Sequence, residues 1–259
     1  MDFDFDQIAV PFTMRPGLRR VDAPRLTPLS PASRLFGEKQ AVLQAGQSRH
    51  AVAGFDVGAA LDAIAAAGPH VPAGLPPELA FEEDFAVLDG VTGTLPWLCV
   101  CVPSHWSPEE KLGLGFAALH QPVADNQALI QASRQLVALA TSGACWERHV
   151  WTISPSGRYD QHPRRHARTP WPAAADPDAF ARQCWLRAER QTFFPVGQGT
   201  HQAVFAIHVM LQPLAQAVQT PQQARRLHDS LASMSQAVLD YKNLAVARDP
   251  LLAWLTARS

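Results

Sequence analysis

The sequence has 259 residues, 47% of them hydrophobic and 17% charged, with 22 Lys+Arg against 23 Asp+Glu. That near-neutral balance removes any global electrostatic reason to expect nucleic acid or an anionic membrane surface as a partner. No apolar run reaches the roughly 20 residues that cross a bilayer, and the length suits one core with helical additions rather than two full domains. The start, Met1 to Asp6, is acidic and lacks the basic-then-apolar order of a signal peptide. With no secretory signal, the four cysteines, Cys99, Cys101, Cys145 and Cys184, read as reduced thiols in a cytoplasmic setting.

In chain order, residues 11–35 are dense in Pro and Arg and read as an extended arm lying on the body. Residues 37–44 start a short helix. Residues 57–67 form a clearer one, with Val57, Leu61, Ile64 and Ala65 at helical spacing. A Pro-rich break at 69–77 precedes a short helix at 79–85, a first strand at 85–88 and a turn at Asp89-Gly90. Residues 97–102 are nearly continuous apolar sequence, as in a strand buried on both faces. Ser107-Pro108-Glu109-Glu110 has the form of a capping box with Pro at the first helical position, predicting a helix from there to Leu119 that stops before Pro122. A second, amphipathic helix follows at 127–141. Strands are expected at 148–153, 184–194 and 203–211, with a Pro- and His-rich loop at 155–177 between the first two. Helices at 221–241 and 250–257 close the chain. Two strands, a helical insert and three more strands are the order of a PAS domain, so the expected fold is α+β: a PAS-like five-stranded antiparallel sheet with crossing helices and added N- and C-terminal helices. The expected organisation is one continuous domain, with an N-terminal arm and helices at 1–80, the core at 81–215 and C-terminal helices at 216–259.

Signatures for several chemistries are missing. The chain has no C-x-x-C, H-E-x-x-H, P-loop, G-x-G-x-x-G or G-x-S-x-G element. Nicotinamide or flavin chemistry would therefore have to come from another chain.

Several segments resemble one family. They are Pro11-Phe12-Thr13-Met14-Arg15-Pro16-Gly17-Leu18, Glu83-Asp84-Phe85-Ala86-Val87-Leu88, and Pro103-Ser104-His105-Trp106-Ser107-Pro108-Glu109-Glu110-Lys111-Leu112-Gly113. Then come Leu119-His120-Gln121-Pro122-Val123, Arg148-His149-Val150-Trp151, Leu186-Arg187-Ala188-Glu189-Arg190-Gln191-Thr192, and Tyr241-Lys242. In this order they are similar to the haem-dependent oxidative N-demethylase α-subunit family. The resemblance implies a PAS-like fold holding haem b through a histidine, non-covalently because no C-x-x-C-H is present. It implies oxidation of a small methylated amine such as dimethylamine by O₂, with release of formaldehyde. A separate reductase subunit carrying flavin and an iron–sulfur centre, fed by NADPH, would deliver the electrons, and tetrahydrofolate is linked to formaldehyde capture. No nucleic acid and no membrane are expected as partners. The sequence departs from the family where Phe193-Phe194-Pro195 stands after Glu189-Arg190-Gln191-Thr192, in place of basic residues and Leu-Pro.

On this resemblance His120, at the end of the expected helix, is the first choice for the iron ligand; the alternative is a histidine capping exposed helix carbonyls. His208 is the rival, on a strand face with Val204, Ala206 and Met210, where a hydrogen-bonded core histidine is the plainer reading. His105 and His201 are weaker rivals. His162 and His166 sit among arginines and read as solvated. Arg190, sharing a face with Leu186, Ala188 and Thr192, needs either a haem propionate or an internal carboxylate. Gln191 is expected near the cofactor and Glu189 in a proton-handling role, against the alternative that Arg187 and Glu189 simply pair. Gly113, with Gly115, suggests close approach by a flat group or by another backbone. Trp106 is expected against the cofactor or in the core, whereas Glu83 and Asp84 could merely charge a helix end. The competing functions are a non-catalytic PAS-like haem or gas sensor, or a protein binding some other small molecule.

Overall fold

The computed structural model describes residues 3–69 and 74–259. Met1 and Asp2 of the acidic start, and residues 70–73 of the expected Pro-rich break, lie outside the described residues. The arm contributes a 3-10 turn at Phe5–Gln7, strand β1 (Arg19–Val21), helix α1 (Arg34–Gln44) capped by the Ser33 hydroxyl, and strand β2 (Arg49–Ala51). Helices α2 (Gly58–Ala67) and α3 (Pro77–Ala80) lead into β3 (Asp84–Asp89) and β4 (Trp97–Cys99). The insert holds α4 (Phe116–His120), α5 (Gln127–Gln131) and α6 (Ser133–Ala140). Then come β5 (Cys145–Ser154), α7 (Pro177–Ala181), β6 (Trp185–Pro195), β7 (Gln202–Pro213) and α8 (Leu214–Ala217). The chain closes with α9 (Pro221–Ala232), α10 (Gln236–Tyr241) and α11 (Arg248–Thr256).

The strands form one antiparallel sheet in the order β1-β5-β6-β7-β3-β4-β2. The expected five strands are present, but among the described residues the sheet has seven. The extra pair comes from the N-terminal arm, which supplies a three-residue strand to each edge. Three residues carry no readable alternation, so these strands are set by what they cover.

Register assigns each side chain to a face, because partners across antiparallel strands point the same way. One face, the near face, carries Arg148 and Val150 of β5, Arg187, Glu189, Gln191 and Phe193 of β6, Phe205, Ile207 and Val209 of β7, Asp84 and Ala86 of β3, and Leu98 of β4. The far face carries Trp151, Ile153, Leu186, Ala188, Arg190, Thr192, His208 and Met210. Helices α9 to α11 and the first turn pack on the far face, joining Phe3, Ile8, Leu227 and Trp254 to Trp151 and Leu186 in one buried cluster, while α2 covers Phe85, Val87 and Val204. On the near face, α1 covers Ile207 and Val209, and the insert lays Leu112, Phe116, Leu119, Val137 and Ala140 over Ala86, Leu98, Phe193 and Phe205.

Four helix expectations need correction. The short helix expected at 79–85 is α3, ending at Ala80, and residues 84–85 already belong to β3. The predicted helix from Ser107 to Leu119 is a 3-10 turn, Pro108–Glu110, and then α4; the Ser107 side chain makes no cap. Gly113, at φ 71, turns the chain left-handed between the two pieces. The helix expected at 127–141 breaks at Ala132 into α5 and α6. The one expected at 221–241 breaks where Ser235 caps α10. The capping-box logic does hold at α9, where Thr220 and Gln223 bond reciprocally and Pro221 takes the first helical position.

His162 and His166, expected to be solvated, are instead held in a polar cluster of the 155–177 loop, His162 buried and His166 half-buried. Asp160 is buried and holds Arg165 through two nitrogens at 2.8 and 2.9 Å and His166 at 3.0 Å, while buried His162 meets Glu109 at 3.1 Å. Glu83 and Asp84 are likewise buried rather than ornamenting a helix end. Asp84 pairs with buried Lys39 at 3.0 Å and accepts from the Val102 amide at 2.7 Å.

Candidate haem site on the near face

The site starts from one helix turn. Phe116 and His120 lie one turn apart on α4, so their rings stack with centroids 4.1 Å apart. The same spacing brings His120 Nδ1 to 2.8 Å from the Phe116 carbonyl. A carbonyl only accepts, so Nδ1 carries the hydrogen and Nε2 keeps its lone pair. Burial, followed by the charges of Arg148 and Lys111, lowers the imidazole pKa, against a raising contribution from the Phe116 bond. The result is a neutral, oriented imidazole with an uncommitted Nε2, which is what an iron ligand requires.

Opposite the insert, the β5–β6 part of the near face is polar. Glu189 is fixed at both oxygens: Gln191 donates to Oε2 at 2.7 Å, and the Ser104 hydroxyl donates to Oε1. Ser104 in turn accepts from Arg187 Nε at 2.8 Å, so Arg187 and Glu189 communicate through Ser104 rather than pairing directly. Arg187 is buried, and its remaining donors go to the carbonyls of Val102, Arg158 and Tyr159. Arg148 stands beside Gln191 across β5 and β6. At the end of α10, Lys242 reaches around the sheet edge and donates to the Trp151 carbonyl at 2.9 Å. Desolvation draws the pKa of Arg148 down and that of Lys242 down to about 8; the charge of Glu189 opposes both shifts. Arg148, Lys242 and His120 nonetheless keep part of their surface accessible. Arg148 thus lies near both His120 and Glu189, and these desolvated, partly accessible groups make up the candidate site.

The remaining expected site residues fall elsewhere. Arg190 is buried on the far face and donates to Glu83 at 3.0 Å, so the internal carboxylate is its partner. His208 is on the far face too, with Nε2 at 2.8 Å from Glu82 and Nδ1 at 3.6 Å from Glu83. It lines a cavity of about 570 Å³ with Glu82, Tyr159 and Arg190. Nε2 is committed to Glu82, while Nδ1 is buried with no hydrogen-bond partner among the described residues, Glu83 being the nearby carboxylate. His105 and His201 are exposed residues at φ 61 and 50. Trp106 is wedged between the α1 and insert clusters. Gly113 is exposed, and an added Cβ would meet only Val52 Cγ1, at 3.6 Å; the group that comes close is the backbone of Leu95, whose carbonyl accepts from the Gly113 amide at 2.8 Å. Among the described residues no group of His, Cys, Asp and Glu is arranged to hold a bare metal ion, and no helix is long and apolar enough to cross a membrane.

Sequence reading missed Arg148, Tyr241 and Lys242 as site residues. The usable signal was Arg148 alternating with Trp151-side core residues on an otherwise ordinary strand. The register and the turn of α10 around the sheet edge, which bring all three to Glu189, are tertiary.

The donor set fits a haem. It offers one oriented histidine nitrogen, an apolar wall of Phe193 stacked on Phe205 at 4.5 Å, and cations beside a fixed carboxylate. The model of one protein family matches residues 79–252, from α3 to α11, which takes in the insert, His120, the Glu189 block and Lys242. The chain belongs to the haem-dependent oxidative N-demethylase, alpha subunit-like family.

Proposed function

We propose that this chain is the catalytic haem subunit of an oxidative N-demethylase acting on a small, dimethylamine-like amine with release of formaldehyde. The reading is carried by His120, whose Nε2 has no partner among the described residues, and Glu189, fixed at both oxygens, with Arg148 near both; we read the ground between them as one hollow of the sheet. The fold is read as PAS-like: within the seven strands, β3 and β4, the helical insert, then β5 to β7 keep that order.

In this reading His120 holds haem b non-covalently through Nε2, and the Phe116 carbonyl keeps the other nitrogen protonated. When bound, the haem supplies the O₂ chemistry that oxidises an N-methyl group. Phe193 and Phe205 give the hollow an apolar wall that excludes water and favours a small alkyl group. Glu189 attracts the alkylammonium and takes its proton at a carboxylate oxygen, releasing the neutral amine; Ser104 and Gln191 keep it in place for both states. Converting the N-methyl group and O₂ to amine, formaldehyde and water takes two electrons and two protons. A separate reductase carrying flavin and iron–sulfur centres and using NADPH supplies the electrons, and tetrahydrofolate is the acceptor for formaldehyde. The setting is cytoplasmic, in keeping with four free cysteines.

The test is the absorption spectrum of the full chain expressed with added haem, beside His120→Ala. A stoichiometric Soret band that shifts on reduction and with CO, and is lost or displaced in the variant, is expected. Methylamine-dependent formaldehyde release with a reductase then separates the enzyme from a sensor. A band unchanged in His120→Ala removes His120 as ligand, and no band in wild type removes the haem reading.

A further inference from the structure

The near-face hollow has more positive charge than its own residues can match. Arg148 Nε is buried without a hydrogen-bond partner, and the carboxylate whose charge acts on this guanidinium is that of Glu189. Lys242 spends one donor on the Trp151 carbonyl, lies 5.4 Å from the centre of the Phe12 ring, and again feels Glu189. Neither cation forms an ion pair with a carboxylate among the described residues. Glu189, the one acid they share, already accepts from Ser104 and Gln191. Elsewhere buried cations are compensated at close range: Lys39 by Asp84 at 3.0 Å, Arg190 by Glu83 at 3.0 Å, and Arg187 by the Ser104 hydroxyl and three carbonyls. Two desolvated cations left without such partners are costly unless an anion from outside joins them.

The position of the pair indicates the anion. Strand β1 pairs only with Cys145, Trp146 and Glu147 of β5, so from Arg148 onward that edge has no strand partner among the described residues. Lys242 sits at this edge. Arg148 is also close enough to His120 for its charge to help lower the imidazole pKa. Histidine, arginine and lysine thus neighbour one another at this end of β5, with Arg148 near both of the others.

Resting on the haem reading, we infer that Arg148 and Lys242 are the seat of the two haem propionates, with Arg148 able to take a carboxylate in bidentate fashion. The porphyrin then enters with its anionic edge at the unpaired side of β5. Glu189 stays a separate carboxylate, available to the amine rather than consumed as the counter-ion of Arg148.

The experiment titrates the full apoprotein with iron protoporphyrin IX and with its dimethyl ester, following the Soret band. Wild type is expected to prefer the free acid at least about tenfold. In the double variant Arg148→Gln, Lys242→Gln, haem affinity should fall to that of the ester while ester affinity stays unchanged. Arg148→Lys should keep part of the preference. Circular dichroism reports whether each variant is folded, and Arg148→Lys, the gentler change, serves if the double variant is not. Equal binding of both porphyrins by wild type, or equal loss of both in the variants, overturns the assignment. A Soret band with neither porphyrin removes the haem reading, and the seat with it.

Discussion

Lys242 and Arg187 show how one buried charge differs from another. Arg187 directs its guanidinium into three carbonyls and the Ser104 hydroxyl, so its burial is compensated by hydrogen bonds. Lys242 has one carbonyl and an aromatic face, and desolvation draws its pKa from 10.5 down to about 8. A lysine whose folded pKa is depressed binds fewer protons folded than unfolded between those two values. The unfolded state then holds the extra proton, so this group's contribution makes stability rise as pH climbs from about 8 to about 10.5. In the haem-free protein, wild type should therefore gain on Lys242→Met across that window, measured as the difference in urea midpoint at each pH. A difference that stays flat from pH 7 to 11 would show that the ammonium is not desolvated. His120 and His208 make the same point for imidazoles. A residue's type is written in the sequence, but its free nitrogen is decided by neighbours: the Phe116 carbonyl in one case, Glu82 and Glu83 in the other.

Among the elements, the insert owes its shape to a glycine more than to its helix formers. Gly113 at φ 71 ends the 3-10 turn, and its amide bonds the Leu95 carbonyl at 2.8 Å, tying the insert to the start of β4. Gly113→Ala should cost about 1 kcal/mol through backbone strain alone, since the new Cβ has ordinary room. Because Gly113 does not line the hollow, haem affinity should be unchanged in a Soret titration; a tenfold loss would return Gly113 to the cofactor site. The three long strands β5, β6 and β7 were legible, because apolar and polar residues alternate over many positions and each end carries a turn signal. The faces within β6 were legible for the same reason: Arg190 with Leu186 and Ala188, Glu189 with Gln191. What the pattern could not carry was the partner of each face. Whether Arg190 meets Glu83 or a cofactor depends on the fold of β3, more than a hundred residues away in the chain. Nor could it show that Ser107-Pro108-Glu109-Glu110, a good local helix start, would lose to Glu109 and Glu110 reaching Arg164 and His162, the latter read as solvated.

At the scale of the whole molecule, the far face and the near face have different standing. The far face is closed by a cluster that runs from Phe3 to Leu255, so the first turn and the last helix share one core. The near face is covered over β7, β3 and β4, whereas over β5 and β6 it is polar and carries Arg148 with a buried Nε that has no hydrogen-bond partner among the described residues; the proposed hollow is placed there. A ligand that fills the hollow binds the folded chain and not the unfolded one, and so stabilises it by mass action: about 2.7 kcal/mol when free ligand is a hundred times its Kd. For a chain of this size each kcal/mol moves Tm by about 2–4 °C, so haem should raise Tm by roughly 5–11 °C under that condition. Since one cluster joins the first turn and the last helix, calorimetry should show a single transition with and without haem, moving as a unit. Haem that binds without moving Tm would be bound at the surface rather than in the hollow. A second transition that alone responds would mean that the insert and the β5–β6 sheet melt apart from the core that joins the first turn to the last helix.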